Sequence, residues 1–333
     1  MLTEKAFNAR QRYVLSQNFD ANETLFLERE LTQLRAKMFE VQFPPSLART
    51  FAPKATDIAS SADTYSFKVY KPVGAAKLIA YKSGDIPRVD VVASEVLGKV
   101  RPIGAAYGWD INELREAARL GLQLSEVKAR AARDFVERGV DECLAFGSLK
   151  DEGGLYPDVG MNGLVNNALV TNLGLLSGHI WVDANEVVPV TPTDPALILR
   201  DLANMVSVIS NVSKDVFKPD TILLPTGHYE YIRQAVFSAL TGESILTVFQ
   251  RNNPQITTIA PWYKLNTAGA GGLPRGISYQ KDPMILESVI PQEFEVMPPE
   301  MHGFEFINNC HARCGGVKIY QPLAMRYTDF AVT

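Results

Sequence analysis

The strongest constraint on this chain is a helix signal at 110–146, set between two stretches of quite different character. Asp110 is a good N-cap, and Glu113 follows at capping-box spacing, with Asp in place of Ser or Thr. Ile111, Leu114, Ala117 and Ala118 mark one face until Gly121. Ser125 caps a second, longer segment whose apolar positions are Val127, Ala131, Phe135, Val140, Cys143 and Leu144. Lys128, Arg130, Arg133, Glu137 and Arg138 take the opposite face, so this helix is amphipathic. It stops near Phe146-Gly147-Ser148, with Gly147 at C′. Such a helix is a spine on which sheets can be laid.

Ahead of the spine, residues 64–107 read as strands. Tyr65, Phe67 and Val69 alternate with Ser66, Lys68 and Tyr70, and Leu78–Tyr81 follow across the turn Pro72-Val73-Gly74. The charged tip Lys82-Ser83-Gly84-Asp85-Ile86-Pro87-Arg88 leads into Val89–Val100 and then Pro102–Tyr107. Few side chains here are apolar, which suits a flap projecting from the body better than a compact sheet. Residues 1–63 form a polar arm with one helix, capped by Asn22 or Thr24 and carrying Leu25, Leu27, Leu31, Leu34, Met38 and Phe39 up to Pro44-Pro45. That arm needs a neighbour to lie on or is disordered.

Beyond 150 the pattern alternates between helix and strand. A turn-rich loop, Gly153-Gly154 to Asn166, precedes a helix opened by Thr193-Asp194-Pro195 and carrying Leu197, Leu199, Leu202, Met205, Val206 and Ile209. Strand Thr221–Leu224 follows, then a helix through Tyr229, Ile232, Val236 and Leu240, a shorter one near 245–251 and strand Ile256–Ile259. This is an α/β unit of about 130 residues. Strands return at Met284–Glu287, Phe294–Met297, Phe304–Asn308 and Gly316–Tyr320.

Length and composition exclude several classes. The 333 residues predict about two domains. Thirty-three basic against 37 acidic residues give a net charge of −4, without the basic field of a dedicated nucleic-acid binder. Three cysteines are too few for a disulfide scaffold and suit a reducing compartment. The N-terminus, with Glu4, Lys5, Arg10 and Arg12, has no secretory h-region. The nearly uncharged stretch Val159–Val182 holds four asparagines and His179, and is too polar to span lipid.

No catalytic or metal constellation emerges. Cys310-His311-Ala312-Arg313-Cys314, with His302 upstream, has C-x3-C spacing and lacks the second ligand pair that zinc needs. On a strand, Cys310, Ala312 and Cys314 share one face, and two small buried residues are the preferred reading. The glycine-rich segment Asn266–Gly276 is followed by a strand, Ile277-Ser278-Tyr279, and by no Gly-Lys-Ser/Thr. It reads as a flexible loop tip, not a phosphate cradle. The four histidines are scattered and no G-x-S-x-G elbow exists; His228 reads as a polar neighbour of a helix start. The adjacent pairs Asp141-Glu142 and Asp151-Glu152 point apart on a helix and read as solvated surface.

The order of parts nevertheless closely resembles a known family, the major capsid proteins of tailed bacteriophages with the Hong Kong 97-type shell fold, shared with encapsulins. The likeness rests on the spine Glu126–Phe146 with Gly147, the turn Gly160-Met161-Asn162-Gly163-Leu164, and Tyr279-Gln280-Lys281-Asp282-Pro283. It continues through Arg313-Cys314-Gly315-Gly316-Val317 to Pro322-Leu323-Ala324-Met325. The resemblance implies an α+β Hong Kong 97-type capsid fold with an N-terminal arm (1–43), an extended flap or E-loop (64–99) and an inserted axial domain (151–283). The remainder (44–63, 100–150 and 284–333) becomes a peripheral domain with the spine.

The resemblance further implies a structural protein without enzyme activity or cofactor. Many copies form hexamers and pentamers closing an icosahedral head around double-stranded DNA, in a virion assembled in the host cytoplasm. Only about 60 residues precede the flap, so a separate scaffolding protein is expected, with a portal and room for a decoration protein. Lys68, Lys82 and Arg88 of the flap, with Gly269, Gly271 and Gly272 of an axial loop, are the expected assembly residues, and Gly160 and Gly163 define the turn after the spine. No motif singles out Lys68, Lys71, Lys77 or Lys82 for covalent crosslinking, so noncovalent locking is expected. An encapsulin-like shell is the alternative, and a metal-dependent α/β enzyme a remote one.

Overall fold

A computed structural model of the chain describes residues 44–78, 87–120, 124–149, 161–175, 180–182, 194–238, 240 and 242–331. Apart from residues 44 and 45, these belong to the compact unit Ser46–Thr333. The expected arm helix, most of the flap tip including Lys82, the break at Gly121, the pair Asp151-Glu152, Gly160 and His179 lie outside the described residues.

In chain order the elements are α1 (Ala48–Phe51), β1 (Thr64–Val73), β2 (Asp90–Lys99), β3 (Arg101–Asp110), α2 (Ile111–Leu120), the spine α3 (Leu124–Phe146) and β4 (Asn172–Leu175). Then come α4 (Pro195–Ser213), β5 (Thr221–Leu224), α5 (Thr226–Gln234), α6 (Ile245–Asn252), β6 (Thr258–Pro261) and β7 (Arg275–Tyr279). The chain closes with β8 (Leu286–Ser288), β9 (Gln292–Val296), β10 (Glu300–His302), β11 (Glu305–Cys314), β12 (Val317–Ile319) and β13 (Met325–Asp329).

β1 and β2 pair only with each other among the described strands, antiparallel from Thr64↔Lys99 to Val73↔Asp90. β3 runs antiparallel to β11 from Arg101↔Cys314 to Asp110↔Glu305, and β9 and β10 also pair with β11. The spine lies on this sheet: Val136, Val140, Cys143 and Leu144 are buried in one core with Ile103, Ala312 and Cys314. A second, mixed sheet has the order β4-β13-β7-β5-β6. Ile198, Leu202 and Met205 of α4 meet Ile222, Leu224 and Phe249 in a separate core beside it.

Local chemistry accounts for α4 well. The Asp194 carboxylate accepts the Ala196 N–H at 2.9 Å, Pro195 occupies the first turn, and the helix ends on Lys214 with left-handed φ 55°. At the start of α2, the Asp110 carboxylate accepts the Asn112 N–H at 3.1 Å. Glu113 does not complete a capping box there and instead pairs with Lys128 of the spine at 2.7 Å.

Several expectations need correction. The expected apolar row of the spine holds at Val140, Cys143 and Leu144, which are buried, but is displaced by one residue in the first half: Ala132 and Val136 are buried in place of Ala131 and Phe135, and Phe135 is 59% exposed with the Arg138 guanidinium 4.2 Å above its ring. One residue is about 100° of helix, and an exposed Phe covered by an Arg makes the wrong row look apolar. α5 ends at Gln234, so Val236 and Leu240 are not its core face. Ala235 turns extended, and the Phe237 N–H donates to the Glu243 carbonyl at 2.8 Å, closing a short hairpin with Leu240 98% exposed.

His228 is not a surface neighbour of a helix start. It is buried between Trp181 and Phe330, with ring centroids 5.8 and 4.5 Å away. The strand expected at Ile256–Ile259 begins two residues later, because the Thr257 and Thr258 N–H groups both donate to the Asp220 carbonyl. By contrast, Cys310, Ala312 and Cys314 do share the buried face of β11.

Candidate assembly surface

The β1–β2 hairpin has two unlike faces, because paired residues on antiparallel strands share a side. Near its base one face is anchored. The Phe67 ring meets Tyr320 edge-on at 4.8 Å, and the Lys318 ammonium sits 4.7 Å over the same ring. Tyr320 donates to the Glu287 carboxylate at 2.8 Å, and burial lowers the Lys318 ammonium below its ordinary pKa. Gly98 lies under the Tyr65 ring, where a Cβ would come within 2.2 Å of it.

The other face carries Ser66, Lys68, Tyr70 and Pro72 opposite Leu97, Glu95, Ala93 and Val91. Tyr70, Leu97 and Val91 are 64%, 72% and 56% exposed, so this face has no cover within the described residues. Lys68 stands exposed opposite Glu95 in mid-hairpin, and Arg88 is exposed two residues before β2 begins. Lys68 thus lies in β1, and Arg88 lies just ahead of β2. The Tyr70–Leu97 stripe is a candidate contact that sequence reading missed, although the alternation of β1 already exposed it.

The glycine-rich segment is not a free tip. A Cβ on Gly269 would lie 2.7 Å from the Leu273 carbonyl oxygen and 2.9 Å from an Asp329 carboxylate oxygen. Gly271 and Gly272 turn the exposed chain with φ 70° and 81°. The Ala270 N–H donates to Asp329 at 3.3 Å, Arg275 Nε donates to it at 2.6 Å, and Asn172 Nδ2 at 2.6 Å. Burial alone would raise the Asp329 carboxyl, but the Arg275 and Asn172 hydrogen bonds outweigh it and hold the carboxyl below its usual range. The turn is therefore tied to β13 by a buried charge network, which corrects the flexible-tip expectation.

Gly163 sits where three segments cross. A Cβ there would fall 2.1 Å from the Ala145 carbonyl oxygen, and one on Gly147 (φ 77°) would fall 2.5 Å from the Met161 carbonyl oxygen. This closeness lets the Leu164 and Val165 N–H groups donate to the Leu144 and Ala145 carbonyls at 2.9 and 3.0 Å, while Asn166 Nδ2 donates to Phe146 at 2.8 Å. Orphan carbonyls at the end of the spine are thereby satisfied by the next segment. Gly316 (φ 73°) crosses at the same place, and the Val317 N–H donates to the Asn162 carbonyl at 2.9 Å.

Asp141 corrects the solvated-pair expectation. It is 2% exposed, accepts the Ala48 N–H at 2.7 Å and pairs with Lys264, itself almost fully buried. One carboxylate on the spine thus ties down both α1 and the 3-10 turn Tyr263–Thr267.

Among the described residues no cluster of three or more His, Cys, Asp or Glu side chains is placed to hold a metal ion. No helix among them is long and apolar enough to cross a membrane.

A family model described as "Major capsid protein" matches residues 74–330. Among solved structures the chain is similar to the capsid of Myoviridae phage XM1, at TM-score 0.76 and 16% identity over 91% of this chain and 98% of that one. It is also similar to a Mycobacterium phage Ogopogo structure (TM-score 0.61, 10% identity, 92% and 98% covered). A third similar structure is the capsid of a native GTA particle (TM-score 0.58, 10% identity, 90% and 95% covered). At such identities the likeness concerns the fold, which is the α+β Hong Kong 97-type fold that the order of parts implied. No curated protein sequence matches the chain.

Proposed function

Because the chain belongs to the major capsid protein family and is a structural shell protein of a virion, we propose that its copies form hexamers and pentamers that close an icosahedral phage head around double-stranded DNA. The observation that carries this reading is the uncovered stripe Tyr70, Leu97 and Val91 on a lone two-stranded hairpin. A hairpin this long is marginal in water unless something packs on it, and a second copy of the chain supplies that cover in a closed shell. An encapsulin-like compartment is not favoured, since the family match is to capsid proteins of the major type.

On this reading the flap spans 64–99, the axial domain 151–283, and the peripheral domain 44–63, 100–150 and 284–333, with an arm at 1–43. Lys68, Lys82 and Arg88 contact neighbouring copies from the flap, and Gly269, Gly271 and Gly272 shape an axial turn. Gly160 and Gly163 set the turn after the spine. A separate scaffolding protein, a portal and a decoration protein are the expected partners, with assembly in the host cytoplasm. A net charge of −4 keeps phosphate binding weak, so packaged DNA slides along the wall. The role is structural and requires no catalytic chemistry.

Negative-stain electron microscopy and sedimentation of the overexpressed protein test the reading, with closed particles or ring-shaped capsomers expected. The double substitution Tyr70→Ser and Leu97→Ser, and separately Arg88→Glu, should lower particle yield while leaving the subunit soluble and folded. Normal yield from all of these variants would refute the flap as an assembly surface.

A further inference from the structure

Resting on the reading that copies of this chain build a shell, we propose that the outer face of the β9–β11–β3 sheet is an acidic seat for the basic β1–β2 hairpin of a second copy. The spine covers one face of this sheet, where Cys310, Ala312 and Cys314 of β11 are buried. Alternate residues of each strand take the opposite face. By the ladder register that face carries Asp110 of β3, Glu305 of β11, Glu300 of β10 and Glu295 of β9. All four carboxylates are exposed, and Gly104 and Ala106 leave the middle of the face flat and uncovered.

The charges of this face are unmet. Residues 292–312 hold four glutamates and no lysine or arginine. Asp110 stands directly across from Glu305 in the ladder, where like charges repel. Among the described residues Glu300 meets only His302, at 3.6 Å, and none of the four carboxylates is paired with a lysine or arginine. Lys128, which reaches the Gly108 carbonyl at 2.9 Å, is committed to Glu113. A single metal ion does not answer this pattern, because no three acidic, His or Cys side chains converge among the described residues. Carboxylates strung over several strands suit an extended basic segment.

The chain itself contains such a segment. Residues 64–99 carry six basic residues against three acidic ones. Lys68, Lys71, Arg88 and Lys99 are exposed, and none has an ion-pair partner among the described residues. The uncovered Tyr70, Leu97 and Val91 lie on the same hairpin, and Phe304, 79% exposed at the β10–β11 turn, gives them an apolar contact. The occupant is another copy. Only Val100 separates β2 from β3, and Phe67 clamps the chain's own hairpin to Tyr320 near that junction. Asp110, Glu300 and Glu305 lie at the far end of β3, about 30 Å along the strand. The contact is heterologous, so it repeats from copy to copy. Opposite charge steers the encounter and sets the register, while the apolar stripe is what becomes buried.

The test is a charge swap in the full chain, read as particle yield by sedimentation and negative-stain microscopy. Glu300→Lys with Glu305→Lys, and separately Lys68→Glu with Arg88→Glu, should each lower the yield at least about fivefold while the subunit stays folded by circular dichroism. All four changes together should return it to within about twofold of the natural chain, a rescue that a purely local role for these charges does not produce. In particles of the natural chain a carbodiimide should join a hairpin lysine to a carboxylate of 292–312. Mixing isotope-labelled with unlabelled copies should show that this bond runs between copies. Undiminished yield from both reversals, failure of the combined variant to recover, or a bond confined to one copy would each overturn the contact and leave the shell reading standing. A natural chain that forms neither particles nor capsomers would overturn both.

Discussion

His228 offers a quantitative check on the packing of the α4 and α5 core, because its ring is buried against Trp181 and Phe330 and its Nε2 has no hydrogen-bond partner among the described residues. Burial lowers its pKa from 6.5 to about 3. Between those two values the unfolded chain binds a proton that the folded chain refuses, so stability falls as the pH drops through the window and is recovered above 6.5. Each pH unit is worth about 1.4 kcal/mol. Moving from pH 7 to pH 5 should therefore cost roughly 2 kcal/mol at this one site. The assay is urea unfolding of the subunit at both pH values, for the natural chain and for His228→Phe and His228→Leu. Taking differences against the variants removes the contribution of carboxylates such as Asp329, which titrate in both. Both variants should lose about 2 kcal/mol less than the natural chain between pH 7 and 5. Equal losses in all three proteins would mean that His228 is solvated in the folded state, and the packing described here would be wrong.

Other sites give sharper, single-condition tests. Gly163→Ala places a Cβ 2.1 Å from the Ala145 carbonyl oxygen and should break the Leu164 and Val165 hydrogen bonds to the spine, costing at least about 2 kcal/mol in a denaturant titration; an unchanged midpoint refutes the crossing. Asp141→Ala leaves the buried Lys264 ammonium without its partner and should cost about 3–5 kcal/mol, whereas the pair Asp141→Leu with Lys264→Met should recover most of the loss. Phe67→Ala removes the ring that holds Tyr320 and Lys318 at the base of the hairpin, and protease cleavage between β1 and β2 should then accelerate several-fold.

What the sequence made legible follows from where local rules act alone. Helix ends with a dedicated residue were readable: Asp194-Pro195 opens α4 and Gly147 closes the spine. The strand β1 was readable because a two-stranded sheet with one wet face shows plain alternation there. β13 was not foreseen. Its sequence Met-Arg-Tyr-Thr-Asp is buried at every position, so no alternation marks it, and Arg326 and Asp329 look like surface charges until the partners of Asp329 are known. Asp141 escaped for the same reason: a carboxylate beside the apolar row of a helix is indistinguishable from a solvated one without Lys264, which lies 123 positions away in the chain.

These misses share a physical origin that bears on function. Asp141, read as solvated, His228, read as a polar neighbour of a helix start, and Asp329, on a strand that was not foreseen, each join segments distant in sequence, and each holds a charge or an unmet polar atom inside the fold. Apolar packing tolerates small sliding between layers, but a buried ion pair or bidentate guanidinium loses several kcal/mol when one partner moves away. Such contacts therefore fix geometry more than they add stability. A subunit that must repeat the same angles in many copies of a closed shell gains from that fixity at Asp141 and Asp329. On the proposed assembly, the exposed Tyr70–Leu97 stripe, with no such tie among the described residues, would be left free to adjust to the copy that covers it.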